Sequence, residues 1–146
     1  MKGSYILLLE LPKEERLAIG KLGVLDFPAG FYAYVGSALG GLRARVGRHL
    51  RKGKGLHWHI DYLLPWADIS EVILLPSEQR LECALAQALA ERFSFIPHFG
   101  SSDCRCQSHL FFEEDGERLR AEIKRLIARE GLSAEALPRG GGMSVL

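Results

Sequence analysis

Residues 30 to 55, GFYAYVGSALGGLRARVGRHLRKGKG, bring aromatic side chains next to a block of cations. No Asp or Glu occurs between Gly41 and Ile60. The cations of this interval are Arg43, Arg45, Arg48, Arg51, Lys52 and Lys54. Because the formal net charge of the chain is only +1, this local block favours a patch that binds an anionic partner. A solvated helix face is the alternative interpretation of the same residues.

A few side chains near this block have the chemistry that phosphodiester hydrolysis requires: an activated water, a cation near the leaving oxygen, and donors for the charge that grows on phosphorus. Arg45 and His49 are four residues apart and share one helical face, and a guanidinium can grip two phosphate oxygens. A tyrosine hydroxyl beside such cations could have its pKa lowered and take a proton from water. Glu82, near the start of a predicted helix, could offer a carboxylate to Mg²⁺, which needs few protein ligands.

These motifs follow one another in an order that resembles a known family. GSY (3–5), YVG (34–36), Arg45 with His49, and the helix-borne Glu82 resemble the GIY-YIG nuclease superfamily. From residue 3 to about residue 112 the chain is similar to a small branch of unassigned function, sometimes attached to an endonuclease III-like repair glycosylase. The resemblance implies a nuclease dependent on Mg²⁺ or Mn²⁺. Its partners would be DNA, or alternatively RNA, and a repair glycosylase or other repair proteins.

The resemblance also implies a role for each matching residue. Tyr5 and Tyr34 are the motif tyrosines, one of which would activate the attacking water. Arg45 would grip the phosphate, His49 would handle or orient a proton, and Glu82 would hold the metal. The other cations of the block, Arg43, Arg48, Arg51, Lys52 and Lys54, would contact backbone phosphates without reading sequence.

One departure from the superfamily pattern concerns the spacing of the two tyrosine motifs. Tyr5 and Tyr34 are 29 residues apart, farther than in most of the superfamily, so we interpret KLGVLDFPAG (21–30) as an insertion. Gly36 would permit a close approach of the backbone where its strand leaves the sheet. Tyr32 lies on the same strand face as Tyr34, where it would pack beside the motif tyrosines or touch a base.

Hydrophobic periodicity predicts the elements that must position these residues. Predicted strands cover residues 5–11, 17–27, 31–38 and 69–76, and predicted helices cover 42–52, 57–66, 77–93 and 116–131. The turn at 28–30 would pair the second strand with the third, Ser77 would cap the third helix, and Gly131 would end the last. We therefore expect an α/β domain of the α+β type over residues 1–137. Its central, mostly antiparallel sheet of three to four strands would be flanked by helices, and residues 138–146 would form a flexible tail.

The segment HWHID (57–61) resembles the opening of the two-metal motif of metallo-β-lactamase-type hydrolases, in which closely spaced side chains bind zinc. The histidine that would continue that motif is replaced by Tyr62, and the chain contains only five histidines. We instead expect His57 and Asp61 to brace the basic helix.

A second candidate zinc site lies in SSDCRCQSHLF (101–111), where Cys104, Cys106 and His109 could be three ligands. Cys83 or His98 would be the fourth. Cys-x-Cys is a poorer spacing than Cys-x2-Cys, and a free cysteine is usually a small buried apolar group. From the sequence we favour the apolar interpretation.

Several classes of protein are disfavoured by the composition. The N-terminus lacks the cleavage pattern of a signal peptide, and no stretch approaches the length of a transmembrane helix. Three cysteines, an odd number, argue against a secreted disulfide framework. We expect a cytoplasmic protein without a membrane partner. The competing functional class is a non-catalytic module that keeps the basic patch and binds nucleic acid.

Overall fold

Runs of apolar residues build one large sheet with helices on both faces. A computed structural model of the 146-residue chain describes residues 2–38, 41–51, 56, 58–102 and 104–138. The strands are β1 (Gly3–Leu11), β2 (Glu15–Ala18), β3 (Val24–Phe27), β4 (Gly30–Ala38), β5 (Asp68–Pro76), β6 (Ser94–Phe95), β7 (Leu110–Glu113) and β8 (Glu135–Pro138). The helices are α1 (Leu42–Leu50), α2 (His59–Leu63), α3 (Glu82–Ala90) and α4 (Gly116–Arg129). None of these helices is long and apolar enough to span a bilayer.

The sheet has the strand order β6-β7-β4-β1-β5-β8, and each neighbouring pair is antiparallel. Its central strands, β1 and β4, are apolar on both faces because helices cover both. We call the face that carries Tyr5 and Tyr34 the tyrosine face; α1, α2 and the β2–β3 hairpin pack on it. We call the opposite face, which carries Cys106, the cysteine face; α3 and α4 pack on it.

This architecture confirms the expected α+β class with a mostly antiparallel sheet and flanking helices. The sheet of the described residues has six strands rather than three to four. The strands that sequence patterning missed, β6, β7 and β8, are two to four residues long. Such short segments cannot display a period of two, so their place in the sheet depends on their neighbours.

The predicted strand over residues 17–27 is wrong. Two short strands, β2 and β3, occupy this region and pair with each other in a separate sheet. Gly20 and Gly23 between them have φ values of 48° and 81°, a left-handed conformation that interrupts a strand. The neighbours of β4 are β1 and β7, so β4 does not pair with β3 across the turn at 28–30.

A helix lies in each of the four predicted segments, but the helices are shorter than predicted. Helix α1 ends at Leu50, α2 covers only His59–Leu63 and is followed by a 3₁₀ helix at Leu64–Trp66, and α3 ends at Ala90. Helix α3 begins at Glu82 and not at Ser77, because the Ser77 hydroxyl accepts the N–H of Gln79 in a local turn instead of capping a helix. Helix α4 is capped by Asp115 and followed by Gly131 at a φ of 67°. Of the predicted C-terminal tail, residue 138 ends β8, and residues 139–146 lie outside the described residues.

Candidate active site and cysteine–histidine cluster

Tyr5 and His49 form the centre of the tyrosine face. The Tyr5 hydroxyl on β1 lies 2.6 Å from Nε2 of His49 on α1, and both side chains are buried. Gly36 stands opposite Tyr5 in the sheet register, and a Cβ at Gly36 would lie 2.3 Å from the Tyr5 ring. The absence of a side chain at Gly36 therefore makes room for the Tyr5 ring in the middle of β4. We had expected this glycine to allow a close backbone approach where the strand leaves the sheet.

Tyr34 is brought into the same cluster by the alternation of β4. Its ring centroid is 6.4 Å from that of Tyr5 and 6.2 Å from that of His49. Phe99 packs against the Tyr34 ring from the loop that precedes β7, with the ring centroids 6.3 Å apart. The two motif tyrosines thus lie side by side, but the hydroxyl that bonds to His49 belongs to Tyr5.

Burial determines the ionisation of these phenols. Loss of solvent raises the pKa of Tyr5 well above its usual range, although the charge of Arg45 acts in the opposite direction. Burial likewise raises the pKa of Tyr34, and the neighbouring Tyr5 and Glu82 raise it further. Burial outweighs the charge of Arg45, so the expectation of a lowered tyrosine pKa is wrong for both phenols, and both are neutral near neutral pH. The Glu82 carboxylate, although it belongs to α3, is close enough to act on both phenols.

Arg45 is positioned at the rim of this cluster by contacts on two sides. Its Nη1 donates to the main-chain carbonyl oxygen of Ser37 at 3.0 Å. Its guanidinium carbon lies 4.3 Å from the centroid of the Trp58 ring, and that of Arg48 lies at the same distance. Arg45 is half-buried beside the phenols, which is where a group that contacts a bound anion must lie.

Asp61 braces α1, as we expected from the HWHID segment. Its buried carboxylate accepts two hydrogen bonds from Nη1 of Arg48, at 2.9 and 3.0 Å, and one from the Trp58 N–H at 2.8 Å. Arg48 is thus engaged inside the protein, so we reassign it from contacting nucleic acid to positioning Trp58 and α1. His57, the other expected bracing residue, lies outside the described residues.

The rest of the proposed nucleic-acid patch is described only in part. Arg51 follows α1 and is exposed. Lys52 and Lys54, and the side chain of Arg43, lie outside what the structure describes.

Two further residues of the segments singled out in the sequence, Tyr32 and His59, form hydrogen bonds inside the protein. Tyr32 is 0% exposed and donates its hydroxyl to the carbonyl oxygen of Pro28 at 2.6 Å, so it cannot touch a base. His59 accepts the N–H of Gly100 at Nδ1, at 2.8 Å, and burial lowers the pKa of His59. With Asp61 bound to Arg48, the described part of HWHID does not converge into a metal site.

Glu82 is the first residue of α3, and its side chain is 15% exposed. Its Oε1 accepts a hydrogen bond from Arg80 at 3.1 Å, and its Oε2 lies 3.8 Å from Nδ1 of His109. A single, partly exposed carboxylate of this kind suits Mg²⁺, which retains water and substrate oxygens as its other ligands.

A group of metal-ligand side chains lies next to Glu82 on the cysteine face. The group consists of Cys83, Cys104, Cys106 and His109, whose candidate ligand atoms all lie within 4.8 Å of one another. All three cysteines of the chain are in it, and all three are free thiols. Burial raises the pKa of Cys83 and of Cys106. Of the two fourth ligands that the sequence left open, the structure brings in Cys83 rather than His98.

Comparison with known proteins relates most of the chain to a protein family. A family model described as "Domain of unknown function DUF123" matches residues 4–132. These residues contain both the tyrosine cluster and the cysteine–histidine cluster. No curated protein and no solved structure matches the chain.

Proposed function

The chain belongs to the family described as domain of unknown function DUF123, and we propose that it is a nuclease. It would hydrolyse phosphodiester bonds of nucleic acid, DNA rather than RNA, in repair or processing, with Mg²⁺ or Mn²⁺. The observation that carries the proposal is the 2.6 Å contact of the Tyr5 hydroxyl with His49, beside Arg45 and within reach of the Glu82 charge. The resemblance of these residues to the GIY-YIG motifs supports it.

The Tyr5–His49 pair provides a route for a proton. A buried phenol resists carrying charge, so Tyr5 can act as a base only if its own proton leaves at the same time. His49 Nε2 lies where it can receive that proton. Water would give a proton to Tyr5 as Tyr5 gives its own proton to His49. The hydroxide would add to phosphorus while the bond from phosphorus to the leaving oxygen breaks. The leaving oxygen would take a proton from solvent, and His49 would release its proton to solvent before the next turnover. Tyr34 has no equivalent contact with an imidazole nitrogen among the described residues, so we assign the proton transfer to Tyr5.

Arg45 and Glu82 would stabilise the charge of the reacting phosphate. Arg45 presents a planar guanidinium already held by Ser37 and Trp58, so little side-chain freedom is lost when it grips phosphate oxygens. Glu82 would hold Mg²⁺ or Mn²⁺, which when bound supplies positive charge near the leaving oxygen. The side chain of Arg80, the partner of Glu82, is 67% exposed, so solvent can replace Glu82 as the partner of its guanidinium when a metal binds.

Binding of the nucleic-acid backbone would depend on the cations that follow α1. Arg51 is exposed there, and Arg43, Lys52 and Lys54 belong to the same acid-free interval of the sequence. Contacts with phosphates release counterions, so affinity should fall steeply as salt rises.

The first test is cleavage of labelled single-stranded, duplex and flapped DNA with Mg²⁺ or Mn²⁺. We expect Glu82→Ala to lower the cleavage rate by about 1,000-fold or more while low-salt binding persists, since loss of one charge-stabilising group at a reacting phosphate has effects of this order. Glu78→Ala is the matched control, because Glu78 precedes the same helix and its side chain is 88% exposed.

A different result would overturn the proposal. If the wild-type protein and Glu82→Ala bind equally, with or without Mg²⁺, and neither cuts any substrate, the protein is a nucleic-acid-binding module. The catalytic roles of Tyr5, Arg45, His49 and Glu82 would then be withdrawn.

A further inference from the structure

The cysteine–histidine cluster has a composition and a geometry that the proposed nuclease chemistry does not use. We propose that Cys83, Cys104, Cys106 and His109 bind one Zn²⁺ ion as a structural site. This inference does not rest on the nuclease proposal, because none of its four ligands is among the residues that we assign to the nuclease chemistry.

The distances between the ligand atoms fit a tetrahedral zinc site. With Zn–S bonds of about 2.3 Å, neighbouring ligands of a tetrahedron are about 3.8 Å apart. The Sγ atom of Cys104 lies 3.4 Å from Nε2 of His109, and every pair in the group is within 4.8 Å. The largest separation in the group exceeds the tetrahedral value by at most about 1 Å, so rotation of the side chains can bring all four atoms onto one ion.

The imidazole of His109 is already oriented as a ligand. Its Nδ1 lies 3.1 Å from the carbonyl oxygen of Val35, so Nδ1 carries the proton and donates it to the main chain. Nε2 then presents a lone pair to the thiols. Metal-binding histidines commonly have their other nitrogen fixed in this way by a carbonyl or a carboxylate. The Oε2 atom of Glu82, 3.8 Å from the same Nδ1, is a second group on the outer side of the ring.

The ligand types select zinc and indicate a structural role. Three thiolates and one imidazole are soft ligands, which favour zinc over the hard ions Mg²⁺ and Mn²⁺. Four protein ligands complete a tetrahedron and leave no position for water or substrate, which distinguishes structural from catalytic zinc sites. The cluster also packs against the buried side chains of the cysteine face, where solvent is largely excluded.

Zinc bound here would tie together segments that are distant in the sequence. Cys83 is the second residue of α3, and the other three ligands lie in the loop that leads into β7. The main chain of His109 is bonded to β4 through Val35. The ion would therefore hold the first turn of α3, including Glu82, against β4.

The test begins with the metal content of the full chain purified without chelators. We expect about one zinc per chain by elemental analysis, as one closed four-ligand site requires. Replacement by Co²⁺ should give the intense visible absorption of a tetrahedral ion and a near-ultraviolet thiolate-to-metal band. Removal of zinc by a chelator should lower the melting temperature by about 10 °C or more, because an ion that binds only the folded state stabilises it.

Variants identify the ligands. Cys104→Ser and His109→Ala should each lose zinc, whereas His98→Ala, the matched control at a histidine outside the cluster, should retain it. Glu82→Ala should also retain zinc, which separates this inference from the nuclease proposal.

The Co²⁺ spectrum and a thiol titration of the wild-type protein test the site without relying on the folding of any variant. Three freely reactive thiols with no bound zinc, a disulfide detected by mass, or an octahedral Co²⁺ spectrum would overturn the inference.

Discussion

The tyrosine cluster and the cysteine–histidine cluster each surround one buried imidazole, but the ring nitrogens have different partners in the two clusters. On the tyrosine face, Nε2 of His49 meets a phenol hydroxyl at 2.6 Å, so a proton is shared between the two groups. In the cysteine–histidine cluster, the main-chain carbonyl of Val35 fixes the proton of His109 on Nδ1, and Nε2 lies 3.4 Å from the Cys104 thiol. Under the two proposals made above, the partner of one ring nitrogen would decide whether the imidazole moves a proton or binds a cation.

Strand β4 connects the two clusters through adjacent residues. Val35 accepts the hydrogen bond from His109, and Gly36 makes room for the Tyr5 ring. Glu82 stands between them, since its charge acts on the phenols and its carboxylate lies 3.8 Å from His109. Apart from Glu82, the two clusters use different side chains, so changes at each should have separable effects, which the following predictions use.

The largest effect on the cleavage rate should come from removing the Tyr5 hydroxyl, which contacts His49. We expect Tyr5→Phe to lower the single-turnover cleavage rate by about 100-fold to 10,000-fold, the usual contribution of a positioned acid–base group. Tyr34→Phe, which keeps the Tyr5–His49 contact, should have a smaller effect, and both variants should retain zinc. A greater loss of rate for Tyr34→Phe than for Tyr5→Phe would assign the base to Tyr34 instead.

Adding a methyl group at Gly36 in β4, the strand that connects the clusters, should have the next largest effect, a loss of stability. The Cβ of Gly36→Ala would meet the Tyr5 ring at 2.3 Å, so we expect a loss of about 1–3 kcal/mol in the free energy of unfolding, measured with urea. Gly47→Ala in α1 is the matched control. Among the described residues no other part of the protein lies within 4 Å of its added Cβ, and replacing a helical glycine should stabilise by about 0.5–1 kcal/mol. Equal stabilities of the two variants would mean that Tyr5 does not pack on Gly36.

The smallest effect should be a loss of stability at alkaline pH that is caused by ionisation of the buried tyrosines. Tyr5, Tyr32 and Tyr34 have folded-state pKa values raised above the ordinary value of 10.0, chiefly by burial. Their contribution to stability is therefore complete below about pH 10 and is lost as the pH rises further, because the unfolded chain releases these protons first. Each phenol should add a slope of about 1.4 kcal/mol per pH unit above that point.

Urea denaturation at several alkaline pH values would measure this slope. Tyr5→Phe removes one buried phenol, so its stability should fall less steeply with pH than that of the wild type. An unchanged slope would show that Tyr5 ionises as easily in the folded protein as in the unfolded chain.

Several of the main strands and helices could be predicted from the sequence, because local hydrophobic patterns are sufficient to define them. The alternation of β4 places Tyr32 and Tyr34 on one face, and the spacing of Leu42 and Val46 turns α1 towards the core, as the structure confirms. Helix α4 likewise follows from its periodic apolar residues and from Gly131. The strand over 17–27 and the cap at Ser77 were wrong, because local preferences there are weaker than the turns at Gly20 and Gly23 or the bond from Ser77 to Gln79.

Only the tertiary structure decided which of these side chains are in contact and how their pKa values are shifted. The sequence by itself identified the tyrosines and the arginine–histidine pair, but not that Tyr5 would lie on His49 or that burial would outweigh Arg45 and raise its pKa. The sequence also disfavoured zinc, because Cys-x-Cys is a poor spacing when read along the chain. Packing of α3 against the sheet brings Cys83 to the 104–109 loop. The physical reason is the same in both cases: solvent exclusion and the approach of distant segments depend on how elements pack, and local sequence cannot encode them alone.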